Sequence, residues 1–232
     1  MKYMGSKSRH AKEILPLILQ DRTDETYVEP FAGGCNVIDK VDGLRIANDI
    51  NYYLMEMFKA AVDGWEPPDI VSEDAYFKIK QNKDDFPAAL VGFVGIGCSY
   101  GGKWFGGYAR GAGRDYCGES KRNLMKQKDF LAGASFQSGN YADMNIVRGS
   151  IVYCDPPYAD TTKYSASTDF NHQDFYDWCE FLVKDGCRVF VSEYSAPDHW
   201  ECLWEKKVNS SLTQDTGSKT NIEKLFKVNT KD

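Results

Sequence analysis

In Ile151-Val152-Tyr153-Cys154-Asp155-Pro156-Pro157-Tyr158, four strand-forming residues run directly into an acid, two prolines and a tyrosine. β-Branched and aromatic residues favour a strand, and consecutive prolines end one because they donate no backbone hydrogen bond. The run therefore predicts a buried strand that stops at Cys154, with a stiff loop from Asp155 to Tyr158 at its carboxyl end. On that loop the Asp155 carboxylate and the Pro156 carbonyl are two hydrogen-bond acceptors, and Tyr158 adds a flat face. Such a set suits a planar exocyclic amine, like that of adenine or cytosine taken out of its stack. Stacking contributes about 1–3 kcal/mol per base, comparable to the few kcal/mol that unstacking costs. Alone, the tetrapeptide also fits a proline turn closing a strand, with Asp155 as a helix cap.

A second constellation lies upstream in Glu29-Pro30-Phe31-Ala32-Gly33-Gly34, where glycines follow a predicted strand. Backbone without Cβ atoms lets a ligand approach closely, and a following helix would present free N–H groups. A glycine turn of this kind is, by itself, purely structural more often than not. Asp49 sharpens it: it stands sixteen residues after Gly33, at the end of the next predicted strand. That is close to the spacing at which a carboxylate accepts hydrogen bonds from a ribose, although G-x-G-x-x-G itself is not present.

These residues need a sheet to hold them. Residues 8–20 predict a helix limited or kinked by Pro16, 25–34 a short strand running into the glycine turn, and 35–41 the start of a short helix. Leu44-Arg45-Ile46-Ala47-Asn48-Asp49 predicts a strand, and 52–64 a helix closed by Gly64. After Ile151 the alternation resumes with a helix over 174–184, a strand over 188–194 and two late strands joined by a polar loop around 216–220. The pattern is that of an α/β nucleotide-binding sheet. Residues 65–138 break it and read as an insertion.

The 232 residues, 42% hydrophobic, suffice for one domain carrying such an insertion. No run approaches the roughly 18 apolar residues of a membrane span, and Met1 to Lys12 lacks the apolar centre of a signal peptide, so the expected compartment is the cytoplasm. The seven cysteines form no C-x-x-C pair and the three histidines no metal spacing; free thiols and no structural metal are expected. A net charge of −6 argues against indiscriminate coating of nucleic acid. Its distribution is uneven: between Ser99 and Lys128 stand seven basic residues against Asp115 and Glu119. Lys103, Arg110, Arg114, Lys121 and Arg122 are the candidate phosphate contacts, with Trp104, Phe105 and Tyr108 as candidate wedges or stacking faces. A solvated charged loop over an ordinary aromatic cluster would have the same composition.

Four motifs in order, Lys2-Tyr3-Met4-Gly5-Ser6-Lys7, Val28-Glu29-Pro30-Phe31-Ala32-Gly33-Gly34, Ala47-Asn48-Asp49-Ile50-Asn51 and Asp155-Pro156-Pro157-Tyr158, resemble those of the Dam-type DNA adenine N6-methyltransferases. The resemblance runs over nearly the whole chain, and residues 97–111 are similar to stretches in phage-borne members. It implies a Rossmann-like methyltransferase sheet with helices on both faces, formed by residues 1–64 and 139–232, and a mostly helical target-recognition region at 65–138. It implies S-adenosylmethionine as cofactor and double-stranded DNA as partner. Tyr3 and Lys7 would lie at the cofactor and target-base site, Phe31 and Gly33 would line the cofactor pocket with Glu29 beneath, and Asp49 would hold the ribose. Asp155, Pro156, Pro157 and Tyr158 would grip an extruded adenine, with Asp155 also beside the cofactor. Cys35 departs from the many members that have a third glycine there, and it restricts that backbone position. A cytosine N4 or RNA enzyme on the same fold and a catalytically weak DNA-binding module remain alternatives; a cytosine C5 enzyme would need a Pro-Cys nucleophile, which is absent.

Overall fold

The computed structural model describes residues 1–157, 170–209 and 220–231. Among them are six α-helices and seven strands, and the strands form one mixed sheet in the order β3-β2-β1-β4-β5-β7-β6. The numbering reverses between β1 and β4, which makes these neighbours the topological switch point of an α/β sheet. Ligands of such sheets bind beyond the carboxyl ends of the strands at that point. The chain divides into two compact units.

The first unit comprises Met1–Lys12 and Glu29–Met144. In it β2 (Arg45–Asp49) pairs in parallel with β3 (Ala134–Ser138), from Arg45 opposite Ala134 to Asp49 opposite Ser138. Helix α2 (Tyr52–Val62) begins where Asn51 accepts a hydrogen bond from the Leu54 amide, and it buries Leu54, Met55, Met57, Phe58 and Ala61. This face packs on β2, β3 and α4 (Ala88–Gly97). Helix α4 is apolar and is buried from Val91 to Gly97. Gly92 permits the contact with α2, since a Cβ there would stand 2.1 Å from the Tyr53 carbonyl oxygen. Helices α3 (Glu73–Gln81) and α5 (Tyr116–Leu131) start at Ser72 and Asp115, whose side chains accept from Ala75 and Gly118 amides. Such caps are each worth about 1 kcal/mol.

The second unit comprises Glu13–Val28 and Asn145–Asp232. The fully buried β4 (Ile151–Cys154) lies parallel to β1 (Tyr27–Glu29), with Tyr27 opposite Ile151 and Val28 opposite Val152. On its other side it pairs in parallel with β5 (Arg188–Glu193). Antiparallel β7 (Thr220–Lys227) and β6 (Glu201–Asn209) follow, with a register shift at Cys202 and Trp204. Helix α6 (His172–Lys184), capped by Asn171 and followed by Gly186 in the left-handed region, turns Phe175, Cys179 and Leu182 inward and packs on β5.

The strand and helix expectations on both sides of the middle region hold in outline; of the loop expected around 216–220, residues 216–219 lie outside the described residues and Thr220 begins β7. Pro16 neither ends α1 (Ala11–Ile18) nor starts it, and sits inside the helix. The helix expected after the glycine turn is a single 3-10 turn at Ile38–Lys40, uncapped by any side chain. Within 65–138, β3 is a strand of the sheet that sequence pattern does not reveal.

Candidate active site

The glycine loop leaves β1 at Glu29, which is buried. Its Ala32 amide donates to the Asn48 carbonyl at 2.8 Å, and Asn48 Nδ2 donates to the Pro30 carbonyl at 3.0 Å, so the loop is fastened to the end of β2. Gly33, at φ +48°, donates its amide to Asp49 Oδ2 at 2.9 Å, and Asp49 Oδ1 accepts from the Asn51 amide at 2.9 Å. A carboxylate has about four acceptor sites. The two amides fix Asp49 while the remaining sites suit the hydroxyls of a sugar. Burial pushes the Asp49 carboxyl above its ordinary pKa, and the Asn51 and Gly33 amides pull it back. Ile50, next in sequence, is 73% exposed. Phe31 and Tyr141 pack ring on ring at 5.1 Å.

Tyr3 explains the glycines. Cβ atoms built on Gly33 and Gly34 would lie 2.7 Å from Tyr3 Cε1 and 2.6 Å from Tyr3 Cβ, so these positions are bare to admit that ring. Lys7, in the 3-10 turn Lys7–Arg9 capped by Ser6, is buried. Cys35 is fully buried at φ +52°, in the region that favours glycine, and burial followed by the charges of Glu29, Asp49 and Asp39 pushes its thiol far up. Gln127 of α5, which has no sequence signal, is buried with Nε2 3.0 Å from the Gly34 and Cys35 carbonyls and from Asp39 Oδ2.

At the end of β4, Asp155 is half-buried, Pro156 buried and Pro157 exposed. Tyr158 lies outside the described residues.

The expected phosphate contacts are dispersed and paired. Arg110 is bound to Glu73, Arg114 donates two nitrogens to Glu119 at 2.8–2.9 Å, Lys121 lies 2.8 Å from Asp69 and 3.6 Å from Glu66, and Arg122 lies 4.0 Å from Asp115. Lys103 is exposed. The expected wedges are corrected: Phe105 is buried, Trp104 is half-buried and stacks on Tyr53, and Tyr108 donates to the Val71 carbonyl at 2.8 Å. They are the aromatic core around Tyr76 rather than free faces. No helix among the described residues is long and apolar enough to cross a membrane.

Residues 3–87 and 106–224 match the model of the D12 class N6 adenine-specific DNA methyltransferases. The chain belongs to this family, the D12 class N6 adenine-specific DNA methyltransferases, and is built on a mixed α/β sheet. It is similar to the modification methylase StsI of Streptococcus sanguinis, 26% identical over 77% of this chain, and spans 31% of that longer protein. It is 25% identical to the DNA adenine methylase of Salmonella typhi, over 87% of this chain and 85% of the relative. Among solved structures, the rRNA methyltransferase aviRa from Streptomyces viridochromogenes shares 13% identity over 97% of this chain and 86% of its own, at a TM-score of 0.46, too low to bear on function.

Proposed function

We propose that this chain transfers the methyl group to the N6 amine of an adenine extruded from double-stranded DNA, with Asp155 and the Pro156 carbonyl accepting the two amine hydrogens. The observation that supports this most is the position of Asp155: a half-buried carboxylate, stiffened by two prolines, at the carboxyl end of the switch-point strand β4. The Asp49 carboxylate, already oriented by two amides, fits the ribose of the cofactor, and Ile50 fits the flat face of its base. S-adenosylmethionine supplies an activated methyl group on a sulfonium. An exocyclic amine is a weak nucleophile because its lone pair is delocalised into the ring. Two acceptors on its hydrogens would favour a pyramidal nitrogen whose lone pair can attack the methyl carbon; the C–N bond would form as the sulfonium's C–S bond breaks with its electron pair left on sulfur as a neutral thioether, and Asp155 would take the proton lost from nitrogen. Positioning of this kind contributes up to about 7–11 kcal/mol in well-oriented systems. Tyr158 would stack on the base.

Lys103, Arg110, Arg114, Lys121 and Arg122 are proposed to meet the phosphates, the last four exchanging carboxylate partners for DNA oxygens. Exposed ion pairs are worth about 0–1 kcal/mol, so that exchange is inexpensive. The setting is the cytoplasm of a bacterial or phage-infected cell. The test is methyl transfer from labelled S-adenosylmethionine to unmethylated DNA, read by nucleoside mass spectrometry. Label in N6-methyladenine is the expected result; label in N4-methylcytosine would correct the base, and tight DNA binding without label would favour a non-catalytic module.

A further inference from the structure

We infer that Gln127 is a positioning residue of the cofactor site, its side-chain amide holding the backbone on either side of Cys35 in the shape that receives S-adenosylmethionine. The assignment rests on the cofactor reading of the glycine loop above. Cys35 is the point at which the loop needs support. It stands at φ +52°, in the left-handed region that residues with a Cβ rarely adopt, and it is fully buried. A residue held there persists only where its surroundings over-determine it. Glycine would keep such a turn without strain; this chain keeps it by contact.

The contacts converge on one buried side chain. Gln127 Nε2 donates to the Gly34 and Cys35 carbonyls, each at 3.0 Å, so a single amide straddles the strained residue. Peptide units are planar, and fixing these two carbonyls fixes both peptide planes that flank the Cys35 α-carbon. The Cys35 amide, in the first of those planes, donates to the Ala32 carbonyl at 2.8 Å and closes the turn. The same Gln127 nitrogen lies 3.0 Å from Asp39 Oδ2. Gln127 Oε1 accepts from the Met1 amino group at 2.5 Å, and that group also donates to Asn36 Oδ1 at 3.0 Å. Acceptors surround the nitrogen and a donor faces the oxygen, so one orientation of the amide satisfies the set. Two residues after Met1, the Tyr3 ring lies where Cβ atoms on Gly33 and Gly34 would stand. Gln127 therefore grips both the loop and the segment laid over it. Its own place is set by α5, where the Ser120 hydroxyl donates to the Gly97 carbonyl at 2.6 Å and Leu124 is fully buried.

The test compares wild type, Gln127→Met, Leu124→Ala, Cys35→Gly and the double variant Cys35→Gly with Gln127→Met, at a temperature where each is folded by circular dichroism. Methionine matches glutamine in length and helix propensity but removes the amide. Leu124→Ala empties a buried site on the same helix and removes no polar contact to the loop. Cofactor Kd is read by calorimetry, and kcat and KM by methyl transfer to DNA. Gln127→Met should weaken S-adenosylmethionine binding and raise its KM about 10-fold or more, with kcat at saturating cofactor and the KM for DNA within about 2-fold of wild type. Leu124→Ala should lose at least as much thermal stability yet bind the cofactor as wild type does. In the Cys35→Gly background the loss caused by Gln127→Met should shrink, because glycine holds a positive φ without the clamp. An unchanged cofactor Kd in Gln127→Met, a fall in kcat with KM unmoved, a matching loss of affinity in Leu124→Ala, or an undiminished loss in the Cys35→Gly background would overturn the assignment. A wild-type protein that binds no S-adenosylmethionine would instead overturn the cofactor reading of the loop, and the assignment with it.

Discussion

The loop holding Asp49 and the basic stretch around residues 99–128 treat their polar groups in opposite ways. At Asp49 both carboxylate oxygens are positioned by backbone amides, and the glycine loop is fastened by Asn48 and Gln127. In the basic stretch Arg110, Arg114 and Arg122 are exposed side chains paired with Glu73, Glu119 and Asp115. Backbone-fixed groups hold a geometry before any ligand arrives and so suit a small cofactor. Exposed pairs rearrange at little cost and suit a long polyanion whose register must be searched.

If that contrast is right, substitutions in the two regions should fail differently. The largest effect belongs to Asp49→Ala, which removes the ribose acceptor and leaves the Gly33 and Asn51 amides without theirs, at about 1–3 kcal/mol each if they stay dry. Cofactor Kd, read by calorimetry, should weaken about 100-fold or more while DNA affinity without cofactor stays near wild type. Next comes Cys35→Val, which places a β-branched residue at φ +52° in a sealed site. It should destabilise by about 2–3 kcal/mol in chemical denaturation. By contrast, Arg110→Ala with Arg122→Ala should change stability by under about 1 kcal/mol yet lower the slope of log DNA affinity against log salt by about 2. A slope unchanged by the pair would remove them from the interface.

The smallest effect is on pH. Because burial raises the Asp49 pKa, its ionised form, the one that accepts from ribose, is lost on acidification earlier than that of an ordinary aspartate. Cofactor affinity should therefore begin to fall at a pH above the usual carboxylate range. The folding contribution of the same group runs the other way: a raised folded-state pKa stabilises below the unfolded pKa, and that stabilisation is lost as pH rises through the folded value. A cofactor affinity flat down to the ordinary range would contradict the raised pKa of this half-buried carboxyl.

What sequence reading recovered follows the same division. Asp49 and Asp155 were legible because each sits where a local strand pattern ends, and the loops that aim them are written in neighbouring residues. Gln127 was not, since the partners of its side-chain nitrogen lie 88 to 93 residues away and a lone glutamine on a polar helix carries no signal. β3 was hidden because Ala134–Ser138 is mostly exposed and short, so its pairing with β2 decides its conformation. The aromatic wedges were misplaced for a packing reason: Gly95 on α4 lets the Trp104 ring approach to 2.4 Å of where a Cβ would stand, drawing that ring inward. The acids that pair with Arg110 and Lys121, namely Glu73, Glu66 and Asp69, lie outside the window whose charge was counted.

The central claim is that Asp155 acts on the amine. The most direct measurement is the single-turnover methylation rate of Asp155→Asn at saturating cofactor and DNA, alongside its cofactor Kd. A rate about 100-fold or more below wild type is predicted, comparable to removing one preorganised electrostatic contact from an active site, with the Kd little changed. A near-normal rate would contradict the account, since the carboxylate at the end of β4 would then have no part in the transfer.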